Sequence, residues 1–133
     1  MSSKADISDC KITIGYYPQR NILAILGYKG QFAGSAGLTY QREMAYFEDL
    51  LLKKPDQNDH FFFNRLLIFR AFRNRGLGGI LLDNILQKAN DTKISIINSV
   101  NAYGELSKED TILFYKRHGF EELPSGVLLY RPH

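Results

Sequence analysis

Cysteine is almost absent from this chain of 133 residues: Cys10 is the only one, and there are only three histidines. An internal disulfide framework is therefore excluded, and so few nitrogen and sulfur ligands argue against a structural zinc site, so no metal is expected. Long apolar runs are lacking too. Nothing approaches membrane-spanning length, and Met1-Ser2-Ser3-Lys4-Ala5-Asp6 holds no apolar stretch of the kind a secretory signal needs. A cytoplasmic protein with no membrane partner is the expectation. Repeats, low-complexity tracts and linkers are missing, and the length is too short for two well-packed cores, so one domain over residues 1–133 is predicted. Charge of one sign is in small surplus: 17 Lys and Arg against 14 Asp and Glu leave +3. That suits an anionic ligand and is too weak by itself to argue for nucleic acid.

What the chain does have is apolar and aromatic surface. With 44% hydrophobic residues, eight Tyr and nine Phe, it can bury a core, which excludes wholesale disorder. Lys11 to Tyr17 alternates and reads as a strand, Pro18 to Asn21 as a turn, and Ile22 to Tyr28 as a second strand. Lys29-Gly30 reads as a tight reversal into a third strand, Gln31 to Tyr40, weakened or bulged by its glycines. Gln41 to Lys54 carries Met44, Phe47 and Leu51 at helical spacing, with a strand through Ala45 to Leu52 as the competing reading. Pro55 to His60 reads as a polar loop. Phe61 to Phe72 reads as an aromatic strand, and Leu77 to Ala89 as a helix with Leu77, Leu81, Ile85 and Ala89 in one row. Ile94 to Val100 follows as a strand. Ser107-Lys108-Glu109-Asp110 resembles a capping box that opens a helix through Arg117, ended by Gly119. Val127 to Tyr130 closes the chain, paired with Phe120 to Leu123. The order predicts a mixed α/β fold around one central sheet flanked by helices.

The chemistry concentrates where a strand meets a helix. Arg73-Asn74-Arg75-Gly76-Leu77-Gly78-Gly79 runs into the clearest amphipathic helix. Free N–H groups and the dipole at a helix start make an anion site, and glycines let a ligand approach the backbone. The arginines add charge-assisted donors suited to phosphate oxygens. A dinucleotide-binding G-x-G-x-x-G would need glycine where Leu81 stands, and a Walker loop would need Gly-Lys-Ser/Thr where Gly78-Gly79-Ile80 stands. The pattern that fits is R-x-x-G-x-G, at Arg73 to Gly78. A second signature, Phe114-Tyr115-Lys116-Arg117-His118-Gly119-Phe120, has its tyrosine 42 positions (115 − 73) after the loop arginine.

Together the two segments resemble the GCN5-related N-acetyltransferase (GNAT) superfamily over Gly30 to Tyr130, most closely over Leu66 to Phe120. The resemblance implies the acyl-CoA N-acyltransferase fold, with acetyl-CoA as co-substrate and no metal. It places pantetheine on the backbone of Leu66, Leu67 and Ile68, in a gap left where the next strand, Ile94 to Val100, diverges. It places the pyrophosphate on Arg73, Asn74, Arg75, Gly76, Leu77, Gly78 and Gly79. It gives Tyr115 the role of general acid: a phenol of ordinary pKa about 10 still holds its proton at neutral pH, where a leaving sulfur whose thiol has a pKa of about 8.5 can accept one. The acceptor implied is an amine on a small molecule or a protein, and a homodimer is compatible with the family.

The chain departs from the family pattern in three places. Only Pro18 to Asn21 stands where two helices are usual, Arg70 replaces a proline, and Lys108 replaces an asparagine, with Asn98 and Asn101 nearby. Two alternatives therefore stay open: a coenzyme A- or partner-binding module without catalysis, and a GNAT-type toxin that acetylates aminoacyl-tRNA. Glu43, Glu48, Glu105 and His60 are candidate general bases, each equally readable as a solvated surface residue. Cys10 reads as an inert residue near the first strand. The Gly76/Gly78 turn also reads as a tight connection, and Tyr115 as a core aromatic. Phe61-Phe62-Phe63 reads as sheet packing rather than a base-stacking platform, and alternation sets Arg65 and Arg70 on opposite faces.

Overall fold

A computed structural model of the protein describes residues 6–16, 21–41, 59–100 and 107–133. The elements are β1 (Cys10–Tyr16), β2 (Ile22–Tyr28), β3 (Gln31–Gln41), β4 (His60–Ile68), α1 (Leu77–Thr92), β5 (Ile96–Asn98), α2 (Lys108–Arg117), β6 (Glu121–Glu122) and β7 (Leu128–Tyr130). The strands form one sheet in the order β1-β2-β3-β4-β5-β7-β6. β4 and β5 run parallel, whereas β1/β2, β2/β3, β5/β7 and β6/β7 are antiparallel. This is the mixed α/β sheet that the order of elements predicts. The chain clusters into two compact units, Met1–Thr39 with Asn64–Lys88, and Tyr40–Phe63 with Ala89–His133.

In the first unit, β2 and β3 meet at a two-residue turn. Lys29 (φ 49°) and Gly30 (φ 79°) both lie in the left-handed region, the twist that matches a tight hairpin. Leu26 pairs with Gly34 and Gly27 with Phe32, so Ala33 is the extra residue of a bulge. The glycine at 34 has a separate cause. A Cβ there would run into the Leu67 carbonyl oxygen and lie 2.8 Å from Ile68 Cδ1. Gly34 thus lets β3 and the last residues of β4 come into backbone contact. Ile22, Ala24, Leu26 and Tyr28 alternate into the core, and Leu77, Leu81, Leu82 and Ile85 bury one stripe of α1.

In the second unit, alternation sorts the strands onto two faces. Ile97 packs with Leu123, Val127, Leu129 and Phe62. The residues that alternate with these, Phe61, Phe63, Ile96, Asn98, Leu128 and Tyr130, face the other way. α2 covers that second face. Ser107 Oγ accepts from the Asp110 N–H at 3.1 Å, and Gly119 (φ 103°) ends the helix, as the capping signals predict. The Tyr130 hydroxyl donates to Asn90 Oδ1 at 2.9 Å and fixes β7 to the end of α1.

Three expectations are corrected. The aromatic strand stops at Ile68 instead of Phe72, because Arg70–Phe72 closes a 3-10 turn whose Phe72 N–H returns to the Phe69 carbonyl at 2.8 Å. The strand expected over Ile94 to Val100 is only Ile96–Asn98, although both end residues are buried. Gln41, expected to open a helix, is the last residue of β3, and residues 42–54 of that segment lie outside the described residues.

Candidate functional site

The path from β4 into α1 is built by backbone geometry. The Phe69 N–H donates to the Ala33 carbonyl at 2.8 Å, so the chain stays on β3 one residue past the end of β4. After the 3-10 turn, Asn74 (φ 66°) and Gly76 (φ 79°) take left-handed conformations and swing the backbone into the helix. Asparagine tolerates that region and glycine is free in it. A Cβ on Gly76 would meet nothing within 4 Å, so the turn is open on that side.

The start of α1 has no acid of its own. The Ile80 N–H makes the first helical bond, to the Gly76 carbonyl at 3.3 Å, so Leu77, Gly78 and Gly79 fall in the first turn. Their N–H groups have no intrahelical partner, Gly76 has no side chain to cap them, and no acidic residue stands in that turn. α2 shows the contrast, with a serine cap and both Glu109 and Asp110 in its first turn. One helix supplies its own negative end group. The other leaves a partial positive charge for an anion brought from outside.

The two loop arginines are held differently. Arg73 Nε donates to the Ile68 carbonyl at 2.9 Å, so this side chain ties the loop back to the last residue of β4. It was expected chiefly as a phosphate contact, and the structure adds this anchoring bond. The guanidinium of Arg75 lies over the Tyr28 ring, 5.9 Å from its centroid, with Lys29 Nζ 5.5 Å from the same ring. Tyr28 also meets Phe72 edge-on at 6.3 Å. Reading the sequence did not single out Tyr28 as a cation platform, and only its inward place in β2 could have hinted at it. Leu66, Leu67 and Ile68 are half-buried at the end of β4.

Arg73 yields a prediction. Because its Nε bond holds the loop, Arg73→Ala should weaken coenzyme A and also lower the melting temperature of the free protein by roughly 3 °C or more, the loss of about 1 kcal/mol. Thermal unfolding with and without ligand separates the two effects. A variant with unchanged free-state melting and weakened binding would make Arg73 a ligand contact alone.

In the second unit, Tyr115 is 6% exposed. Its ring meets Phe63 at 5.5 Å, Phe114 at 5.3 Å and Phe120 at 5.4 Å, each edge-on. Among the described residues the β4–β5 ladder holds Phe61↔Ile96 and Phe62↔Ile97 and ends there. Phe63 is the next residue of β4, and Tyr115 packs on it.

The remaining candidates sort as follows. His60, expected in a solvated loop, is the first residue of β4 and only 4% exposed. Beside it, Asp59 Oδ2 accepts from the Tyr40 hydroxyl at 3.1 Å. Glu43, Glu48 and Glu105 lie outside the described residues. Burial, with Asp9 and Asp6 close by, pushes the Cys10 thiol up, which disfavours a nucleophilic thiolate. His118 is the C-terminal cap residue of α2, its ring 4.9 Å from Phe114. Phe61 and Phe63 are core residues, as the packing reading of the aromatic triplet holds. Among the described residues no group of three His, Cys, Asp or Glu side chains could hold a metal ion, and no helix is long and apolar enough to cross a membrane.

Comparison with known proteins agrees with this geometry. A family model described as an acetyltransferase (GNAT) domain matches residues 21–122. A GNAT family acetyltransferase from Elizabethkingia anophelis with acetyl-CoA bound is 12% identical, with a TM-score of 0.65 over 92% of this chain and 98% of that one. A variant AtaT toxin bound to the C-terminus of the antitoxin AtaR is 17% identical, with a TM-score of 0.65 over 92% of this chain and 93% of its own. Arabidopsis thaliana NAA60 in complex with a bisubstrate analogue is 12% identical, with a TM-score of 0.65 over 85% and 76% of the two chains. At such identities the likeness is one of fold. No curated protein matches by sequence.

Proposed function

Since the chain belongs to the GNAT acetyltransferase family, we propose that it moves an acetyl group from acetyl-CoA to an amine by direct attack. The observation that carries this reading is the start of α1: a glycine immediately before the helix, no acid in its first turn and two arginines in the loop that leads to it. Asn74 to Gly79 would hold the pyrophosphate with backbone N–H groups, while Arg75 adds charge. Leu66, Leu67 and Ile68 would hold pantetheine by the main chain. The acetyl-CoA bound to the Elizabethkingia protein of the same fold supports the donor.

In the reaction, the nitrogen lone pair of the amine adds to the thioester carbonyl carbon. The carbon–sulfur bond then breaks, and the sulfur leaves with the electron pair. The Tyr115 phenol gives its proton to that sulfur, and the amine proton passes to solvent. General-acid help of this kind lowers the barrier by about 3–5 kcal/mol. The acceptor in this reading is a small-molecule or protein amine.

The test has two arms. Coenzyme A at one hundred times its dissociation constant should stabilise the protein by about 2.7 kcal/mol, raising the melting temperature by roughly 8 °C. Free thiol should appear from acetyl-CoA only when an amine from a panel of small amines and peptides is present. A thermal shift without turnover on any amine would favour the binding module. No shift with millimolar coenzyme A would overturn the reading.

A further inference from the structure

Asn98 is the one buried side chain among the described residues whose amide nitrogen, Nδ2, has no hydrogen-bond partner. The residue is 4% exposed. An unpartnered donor in such a place costs about 1–3 kcal/mol, so a folded chain keeps one only where something else meets it. Its position says what. Asn98 is the last residue of β5 and pairs with Leu128 of β7 on one side. On the other side the ladder to β4 has already ended, one residue earlier, at Phe62 and Ile97. Alternation puts its side chain on the same face as Phe63, against whose ring Tyr115 packs at 5.5 Å.

We infer that Asn98 is a binding residue of the acyl donor, whose Nδ2 donates to the thioester carbonyl oxygen of bound acetyl-CoA and to the oxyanion that forms there. This rests on the acetyltransferase reading above. The donor stands one residue past the last β4–β5 rung and on the face of the proposed acid, beside which the sulfur and its carbonyl would lie. A neutral amide suits the task. It carries no charge to repel the incoming amine, and it strengthens its bond as negative charge builds on oxygen.

The test uses Asn98→Leu, which keeps the volume and removes the donor, with Asn98→Ala as a second variant that adds none. Thermal shifts by coenzyme A and by acetyl-CoA are read first, then acetyl transfer to the best amine of the panel. The free Leu variant should melt at or above the wild-type temperature, because it has lost an unpaired donor. Its affinity for coenzyme A should match wild type, its affinity for acetyl-CoA should fall roughly 5-fold, and kcat should fall about 100-fold. Equal loss of affinity for both ligands would overturn the inference by moving the donor to the pantetheine arm. Lower melting with unchanged kcat would overturn it by making Asn98 structural. Unchanged ligand shifts and kcat would overturn it in favour of a buried water. If wild type itself shows no shift with coenzyme A, the acetyltransferase reading fails and this inference with it. A wild-type shift with normal kcat in both variants sinks the inference alone.

Discussion

Replacing Tyr115 by phenylalanine should leave the fold and acetyl-CoA affinity within a few-fold of wild type while turnover falls by roughly 100-fold or more. The ring is what packs: Phe63, Phe114 and Phe120 meet it edge-on, and phenylalanine keeps all three contacts. Removing one oxygen therefore removes the proton without opening a cavity. Binding should be spared, because in the proposed reading the nucleotide end is held by the start of α1 and its loop, not by Tyr115. The deficit should shrink as pH rises past the ordinary thiol range near 8.5, where coenzyme A leaves as a stable thiolate and needs no proton. Initial rates with the best amine, from neutral pH to about 9, check both points. Unchanged turnover across that range would return Tyr115 to the aromatic core and favour a protein that binds coenzyme A without acetylating anything.

How far the sequence foretells this structure depends on whether a signal is local. The Lys29-Gly30 turn, the Ser107 cap and the leucine row of α1 are short-range patterns, and each appears where predicted. The glycine loop is local as well, so the candidate phosphate residues could be read directly. The end of β4 could not. Phe69 and Phe72 look like strand residues because they are apolar, yet their rings meet Phe32 at 4.8 Å and Tyr28 at 6.3 Å from a 3-10 turn. Apolar packing without strand pairing leaves the same trace in the sequence. Ile94 and Val100 misled in the same way, being buried but unpaired. The anchoring bond of Arg73 depends on that unforeseen turn, since the turn is what brings residue 73 back to the Ile68 carbonyl. His60 was misjudged for a related reason: a polar residue after a polar run looks exposed until β4 is seen to begin with it.

The acid-free start of α1 permits a change whose effects on stability and on binding have opposite signs. Gly78→Asp places a carboxylate in the first turn, where the structure has no acid. Two gains follow for the free protein. A helix residue other than glycine recovers up to about 0.5 kcal/mol of backbone entropy, and a negative charge in the first turn adds about 0.3–1 kcal/mol against the dipole. Melting should rise by roughly 3 °C. Coenzyme A should suffer, because the new carboxylate stands where the pyrophosphate must come. Two like charges about 4 Å apart repel by about 4 kcal/mol at an effective dielectric of 20, so a loss of at least about 100-fold in affinity is expected even after partial screening. Gly78→Asn is the control: it adds similar bulk without the charge, so the excess loss in the Asp variant, and its recovery at high salt, measures the electrostatic part. Higher melting together with lost binding would show that this helix start is kept free of acid for an anion. Higher melting with normal coenzyme A affinity would mean that the pyrophosphate is held elsewhere, and the glycine turn would be only a connection between strand and helix.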